Sequence, residues 1–514
     1  MPHHPNKWVV AGTVLIGTIM AVLDSSVVNV ALPDMSGTLG ATIEEITWVV
    51  TGYILAQVIF MPITALLSSR FGRKNFYVAS VVLFTVASMA CGLARSMPVM
   101  ILFRAIQGAG GGVMITVSQA ILRESFPPEE QGTAMGLFGV GTVLAPAIGP
   151  TLGGWLTDQY SWPWVFYVNV PIGVVAVLLV MRFVEDPPYL VRQKGRIDWA
   201  GVGAMTLGLG AFQLMLEKGQ DLDWFQSSFI LWLAIISVVF LAAFIWRELR
   251  TSGPAVDLSL FRNVPFASAT ALGGVLGMGL YGALFLLPLF LQELLGYPAM
   301  KSGLALMPRS LAMAVVMPIG GLLYNRLGPR VLVGTGLAIS AYSFWDLAHL
   351  TTDTGIWDLM LPQIWQGVGF GMLFVALSTA ALSSIPRSRM TAAAGLYNVV
   401  RQVLGSVGIA VAATELVRSQ SRFHDVLAEH VTPYGAATQD WLRDATAGMM
   451  SAGADAATAT GRAIRLLDVR VMRQAIALAY NHVLLLVAAL FVVSLPLVLL
   501  VRGHRDSKVE VVPD

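Results

Sequence analysis

Apolar stretches long enough to cross a bilayer follow one another along almost the whole chain, and nothing else in the sequence limits the fold as tightly. Fourteen can be drawn, at about 8–31, 47–69, 76–94, 99–122, 133–156, 163–183, 199–217, 228–248, 266–291, 302–324, 331–350, 358–384, 391–415 and 477–501. A hydrocarbon core about 30 Å thick takes roughly 20 residues of helix, whereas the strands of a membrane barrel alternate apolar and polar over about ten residues. Charge also excludes a soluble chain: Asp, Glu, Lys and Arg make up 12% of the 514 residues, about half the usual globular share, while apolar residues reach 56%. The expected fold is an all-α polytopic membrane protein. The first stretch lacks a short apolar core ending in a small-residue cleavage site, so it is expected to be a retained helix.

A net charge of +2 gives no reason to expect nucleic acid as a partner, and the single Cys91 excludes an intramolecular disulfide and any cysteine-based metal cluster. Orientation follows from Lys and Arg in the loops. With the N-terminus inside, the inner segments hold nineteen, from Lys7 through Arg192, Lys194 and Arg196 to Arg502, Arg505 and Lys508, against three in the short outer loops (Arg95, Lys218, Lys301). Both termini are therefore expected in the cytoplasm.

Two landmarks recur at one offset. Ser68-Ser69-Arg70-Phe71-Gly72-Arg73-Lys74 returns as Tyr324-Asn325-Arg326-Leu327-Gly328-Pro329-Arg330, 256 residues on. Gln107, followed by Gly108, returns as Gln366, followed by Gly367, 259 residues on. Helices 1 to 6 and 9 to 14 thus read as parallel repeats, a transporter architecture. The expected units are an N-terminal six-helix bundle at 1–185, two inserted helices with their loops at 186–262, and a C-terminal six-helix bundle at 263–514 with a long outer loop at about 416–476.

Further motifs give these repeats a family likeness. They are Leu23-Asp24-Ser25-Ser26-Val27-Val28-Asn29-Val30-Ala31-Leu32-Pro33 in helix 1, Trp48-Val49-Val50-Thr51-Gly52-Tyr53 in helix 2 and Arg104-Ala105-Ile106-Gln107-Gly108 in helix 4. Helix 5 carries Ala145-Pro146-Ala147-Ile148-Gly149-Pro150-Thr151-Leu152-Gly153-Gly154-Trp155, helix 6 opens with Asn169-Val170-Pro171-Ile172-Gly173, and Val256-Asp257-Leu258-Ser259-Leu260-Phe261 precedes helix 9. Over almost its whole length the chain resembles the major facilitator superfamily, and within it the fourteen-span drug:proton antiporters of the EmrB/QacA type. The resemblance implies two six-helix bundles plus two inserted helices, and export driven by the proton-motive force with no cofactor. It also implies lipophilic small molecules and protons as cargo, and a bacterial inner membrane whose lipid surrounds the chain. A periplasmic adaptor (a membrane fusion protein) and an outer-membrane channel are the implied partners. The chain departs from the pattern at Ala65 and Ser69, where the loop after helix 2 usually has Gly and Asp. Of the cytoplasmic gate loop, Arg70, Gly72, Arg73 and Lys74 remain.

Asp24 is the only carboxylate well inside the first eight spans, and counting residues puts it about 10 Å below the outer interface at about 1.5 Å per residue. Ionised there without a partner it would cost several kcal/mol, so its protonation should follow its access to water. Arg104 counts to about 8 Å, close enough in depth to pair with it directly or through a water. The proton-coupling pair is therefore expected to be Asp24 and Arg104. A permanently paired structural Asp, and an Arg that only caps helix carbonyls, are the alternatives. Gly141, Pro146, Gly149, Pro150, Gly153 and Gly154 give helix 5 the small-residue face of the antiporter motif, expected to slide against helix 8 or its counterpart unless it is ordinary close packing. Asn29, Tyr53, Gln57, Gln107, Tyr281, Gln363, Gln366, Tyr397, Asn398 and Arg401 are the candidate lining of a central substrate cavity, and Arg309 is a further buried cation. Tyr281 stands 257 residues after Asp24, so the second half has no acid at that place and the proton site belongs to the first half.

Gly108 to Gly112 is not a phosphate loop, because it lies inside a membrane helix with no following Lys-Ser or Lys-Thr. No spacing of ligands suggests a metal. Export of one endogenous lipid, siderophore or metabolite stays open beside drug efflux. A membrane-embedded enzyme or sensor is disfavoured by the lack of a nucleophile–base pair or a soluble catalytic domain. The segment 416–476 is too long for a plain connection and reads as a partner-binding element or a solvated insert.

Overall fold

The computed structural model describes residues 6–187, 197–251 and 254–501, so Arg192, Lys194, Arg196, Arg502, Arg505 and Lys508 of the expected inner loops lie outside the described residues. Fourteen long helices follow in order. They are α1 Lys7–Leu39, α2 Trp48–Phe71, α3 Arg73–Gly92, α4 Met97–Ser125, α5 Gln131–Gln159, α6 Asn169–Phe183, α7 Trp199–Lys218 and α8 Ser228–Glu248. The second half adds α9 Val264–Leu289, α10 Ala299–Leu327, α11 Pro329–Leu347, α12 Ile356–Ser383, α13 Met390–His430 and α14 Ala456–Val493.

Thirteen stretches among the described residues are long and apolar enough to cross a membrane, one fewer than the fourteen expected. The exception is α11, whose 19 residues include Arg330, Ser340, Ser343 and Asp346. It is a helix of spanning length all the same, about 28 Å, and Leu332, Val333, Leu337, Phe344 and Leu347 are fully buried on it. Three other helices outrun their apolar runs. The first, α1, continues through Pro33 to Leu39 and stops where Gly40 turns left-handed at φ 63°. At the far end of the chain, α13 runs to His430 and α14 begins at Ala456, joined by a helix Ala436–Ser451. The expected outer loop is thus a helical projection, with Ala459 and Ala463 buried on α14, Leu416 and Ser419 buried on α13, and His424 Nε2 3.2 Å from Asp468 Oδ1.

The internal repeat holds at the level of backbone contact. A Cβ built on Gly108 would stand 2.2 Å from the carbonyl oxygen of Tyr53, and one on Gly367 2.3 Å from that of Arg309, so α4 meets α2 as α12 meets α10. Gly72 (φ 86°) and Gly328 (φ 80°) make the same left-handed turn after α2 and α10, a conformation that strains any residue with a Cβ.

The two halves meet near the end that carries the N-terminus. Gly132 of α5 and Gly321 of α10 pack backbone on backbone, each built Cβ lying 2.4 Å from the other residue's carbonyl oxygen. Gly136 sits on Met317 and Gly395 of α13 on Met61 of α2, while Asn398 Nδ2 donates to Gln119 Oε1 at 2.6 Å and Asn325 Nδ2 donates to the Glu129 carbonyl. The inserted pair is fastened by Asp198, which caps α7 through the Gly201 N–H and accepts two hydrogen bonds, at 2.9 and 2.8 Å, from Arg247 Nε of α8. That guanidinium holds the Asp198 carboxyl below the usual carboxylate range. Helix α7 then lies over α2 and α13, one helix from each half.

Candidate functional site

Asp24 and Arg104 form an ion pair inside the N-terminal bundle, Nη1 to Oδ2 at 2.6 Å, with both side chains at 0% exposure. Neutral donors fill the other carboxylate oxygen: Gln107 Nε2 and Asn169 Nδ2 each donate to Oδ1 at 2.8 Å. Arg104 also donates through Nε to the Val49 carbonyl at 3.0 Å and through Nη1 to Gln107 Oε1 at 2.8 Å. Its guanidinium carbon lies 4.3 Å from the centre of the Tyr53 ring and 5.7 Å from that of Phe166. Tyr53 is fixed beneath it by donating to the Ala21 carbonyl at 2.9 Å. Four helices and the opening of a fifth converge here. The sequence places them so because Gly108 and Gly111 on α4 leave no Cβ where the Tyr53 carbonyl and hydroxyl stand.

An ionised carboxylate only accepts, and this one is met by three donors. A buried pair is tolerated when its remaining lone pairs are satisfied. Two atoms at the site remain unpartnered, Arg104 Nη2 and Asn169 Oδ1. A proton arriving on Asp24 would leave the Arg104 charge uncompensated and would need an acceptor. Turning the Asn169 amide presents Oδ1 for that role. Asn169 also donates to Ser88 Oγ at 3.0 Å, and Cys91 Sγ lies 3.8 Å from Gln107 Oε1.

Asp24, Arg104, Gln107 and Tyr53 therefore come together from the expected set, and Asn169 and Ser88 join them. Asn169 was visible only as the opening of the helix 6 motif, with no role attached to it. The remaining candidates lie in separate places. Asn29 is exposed further along α1, and Gln57 is buried against Gly112. Asn398 stands at the junction of the halves, and Tyr281 donates to Gln402 Oε1 at 2.9 Å. Arg401 lies 4.9 Å from the Phe374 ring centre and 5.8 Å from that of Tyr397. Gln363 and Gln366 are fully buried, the latter beside Arg309.

The antiporter-motif face of α5 packs on α1. Gly141 meets Ile19 and Leu15, Gly149 meets Ser26, Gly153 meets Val27, and Ser26 Oγ donates to the Pro146 carbonyl at 3.1 Å. Gly154 approaches Val30 more loosely, and Pro150 is exposed. The contact with α10 in the other half is made by Gly132, Gly136 and Gly139, earlier on the same helix. In the gate loop, Arg73 pairs with Glu124, the Lys74 N–H donates to Asp186 Oδ1 at 2.7 Å, and Lys74 Nζ donates to the Met181 carbonyl at 2.7 Å. Glu124 and Met181 belong to the N-terminal bundle and Asp186 follows directly after it, so none of these partners is in the C-terminal half. Ser69, where the motif usually has Asp, turns back on the Leu66 carbonyl, while Arg70 closes the last turn of α2 and Gly72 makes the turn that follows. At the end of α7, Glu217 accepts from Thr51 Oγ1 at 2.8 Å.

Comparison with known proteins places these features in a family. The family described as Major Facilitator Superfamily matches residues 14–409. The chain is 34% identical to the fatty acid resistance protein FarB of Neisseria gonorrhoeae, over 96% of this chain and 95% of that protein. It is 36% identical to the multidrug export protein EmrB of Escherichia coli (strain K12), over 82% of each. Among solved structures, the human organic anion transporter MFSD10 (TETRAN) superposes with a TM-score of 0.60 at 14% identity, covering 95% of this chain and 100% of that one, a likeness of fold alone.

Proposed function

The chain belongs to the Major Facilitator Superfamily, and from that premise we propose that it exports lipophilic compounds in exchange for protons across a bacterial inner membrane. The observation that carries the reading is the buried Asp24–Arg104 pair with its neutral donors. Such a site can take and release one proton, and doing so changes the charge balance of a packed bundle. The relatives named for multidrug export favour lipophilic drugs as cargo. The relative named for fatty acid resistance supports a second reading, export of a narrower class of lipophilic acids.

The positive-inside count supports cytoplasmic termini. On that reading the side on which the halves meet, through Gly132 and Gly321, is the cytoplasmic one, which supports an outward-facing arrangement. Asp24 takes a proton from outside, rearrangement exposes it inward, and loss of the proton restores the pair with Arg104 as cargo is committed to export. Each proton supplies about 2.3 kcal/mol per 100 mV of potential and about 1.4 kcal/mol per pH unit. The gate loop of Arg70, Gly72, Arg73 and Lys74 and the glycine face of α5 serve the rearrangement. Arg401, Tyr397 and Asn398 would line the path of the cargo once the halves part. The projection built by α13 and α14 is the docking place for a periplasmic adaptor leading to an outer-membrane channel.

Everted vesicles test the reading. Asp24→Asn keeps size and hydrogen-bonding capacity but cannot release a proton, so uphill, proton-driven efflux should be lost while insertion and purification yield stay as in the wild type. Uphill efflux at the wild-type rate in this variant would sink the coupling assignment.

A further inference from the structure

The C-terminal half holds the repeat's mate of the Asp24 site with its charges rearranged. Gln366 stands 259 residues after Gln107 and Gln363 the same distance after Arg104, while Arg309 stands 256 after Tyr53. The backbone keeps this correspondence, since Gly367 presses on the Arg309 carbonyl as Gly108 presses on that of Tyr53. Arg309 is 2% exposed, and Gln363 and Gln366 are 0% exposed. Arg309 Nη1 donates to Gln366 Oε1 at 3.2 Å, and no carboxylate pairs with it among the described residues. Both amide atoms of Gln363, and Nε2 of Gln366, are buried without a hydrogen-bond partner.

Such a cluster is costly as it stands. An unpaired buried guanidinium costs several kcal/mol and each orphaned amide group about 1–3 kcal/mol. In the N-terminal half the same donor types, one guanidinium and two amides, surround a carboxylate. By the repeat's offset the residue that answers to Asp24 is Tyr281, which is not an acid and turns to Gln402 on α13. Gly282, the next residue, is buried, yet a Cβ there would meet nothing within 4 Å. Arginine's planar fork with flanking amides complements a two-oxygen anion.

We propose that Arg309, Gln363 and Gln366 bind the carboxylate head of a lipophilic acid, so that the cargo supplies the acid which the second half of the chain lacks. That the acid is cargo rests on the export reading; the binding itself does not.

The test uses the purified full-length protein in lipid nanodiscs with no gradient, at a pH where dodecanoate is ionised. Equilibrium dialysis compares dodecanoate with 1-dodecanol, which shares the chain and lacks the charge. Dodecanoate should bind about tenfold or more tightly than the alcohol. Arg309→Gln should remove that preference and leave alcohol binding unchanged, and Arg309→Lys should keep part of it. Should Arg309→Gln fail to yield folded protein, Gln363→Leu carries the test, since the native side chain makes no hydrogen bond whose loss would unfold the bundle. Full retention of the preference in Gln363→Leu and in whichever Arg309 variant folds would overturn the assignment. Equal affinity for acid and alcohol in the wild type would overturn it too. So would a saturable response to chloride alone, lost in Arg309→Gln and unaffected by dodecanoate, which would make this an inorganic-anion site. Loss of exchange in Asp24→Asn leaves the binding result unaffected, and a negative binding result leaves the export reading in place.

Discussion

At the residue scale the geometry turns a charge pair into a set of separable roles. Arg104 Nη1 donates to both Asp24 and Gln107 while its Nε reaches the Val49 carbonyl, so its planar fork matters and not its charge alone. Proton-coupled efflux should fall further in Arg104→Ala than in Arg104→Lys, by at least about tenfold. Wild-type transport in both would leave Arg104 without a coupling role. Asn169 donates to the ionised carboxylate, and a hydrogen bond to a charged group is worth about 1.5–3 kcal/mol. In Asn169→Ala proton-coupled efflux should fall by about tenfold or more. Wild-type efflux would show the amide to be a bystander. Asp24 and Arg104 were legible as partners because a charge inside an apolar run is conspicuous, and counting from the helix ends matched their depths. The count was right about the pairing although α1 ends fifteen residues beyond Asp24 and not seven. The role of Asn169 was not legible, since its 145-residue separation from Asp24 is closed only by the way α6 packs.

Among the elements, α7 has the least expected part. It was readable as an inserted span, but nothing in an apolar run says which neighbours it will bridge. Near its end Glu217 accepts from Thr51 of α2 in the first half, and Gln213 Nε2 donates to Ser406 Oγ of α13 in the second at 2.8 Å. Gln213 also donates to Glu217 Oε1 at 3.2 Å, so the two attachments share one link. This strap favours the present arrangement of the halves by about one net hydrogen bond, about 1 kcal/mol. Gln213→Ala combined with Ser406→Ala should therefore lower the population of this arrangement about fivefold relative to its alternatives. Spin labels at Glu129 and Arg326, on either side of the closed end, would report it as growth of a longer distance. An unchanged distance distribution would rule the strap out. Helix α11 shows the opposite case, a weak signal for a real element, because Arg330 and Asp346 at its ends dilute an apolar face that packing buries completely.

For the whole molecule, the repeat and the two bundles could be read from two landmarks at one offset, while the projection could not. Residues 416–476 carry the charge of a soluble segment, so a search for apolar runs stops where α13 and α14 in fact continue. Because those helices pair with each other, the docking proposal is best tested on the part beyond the pair. Replacing residues 431–455 by a short turn should leave transport in proteoliposomes intact. It should weaken co-purification of an adaptor, and resistance in cells with two membranes, by about tenfold. Normal adaptor binding and full resistance would show that docking lies elsewhere, and failure in proteoliposomes would assign the segment to the transport cycle.

The unbroken course of α13 has a mechanical meaning. Its 41 residues make a single rod about 60 Å long, rooted beside Met61 at the junction of the halves and tipped by the projection. A rocking of the second bundle by about 10° would swing that tip through roughly 10 Å, an excursion far larger than any displacement at the root. Anything clamped to the tip would feel each turnover as a stroke, and clamping it hard would brake the bundle below.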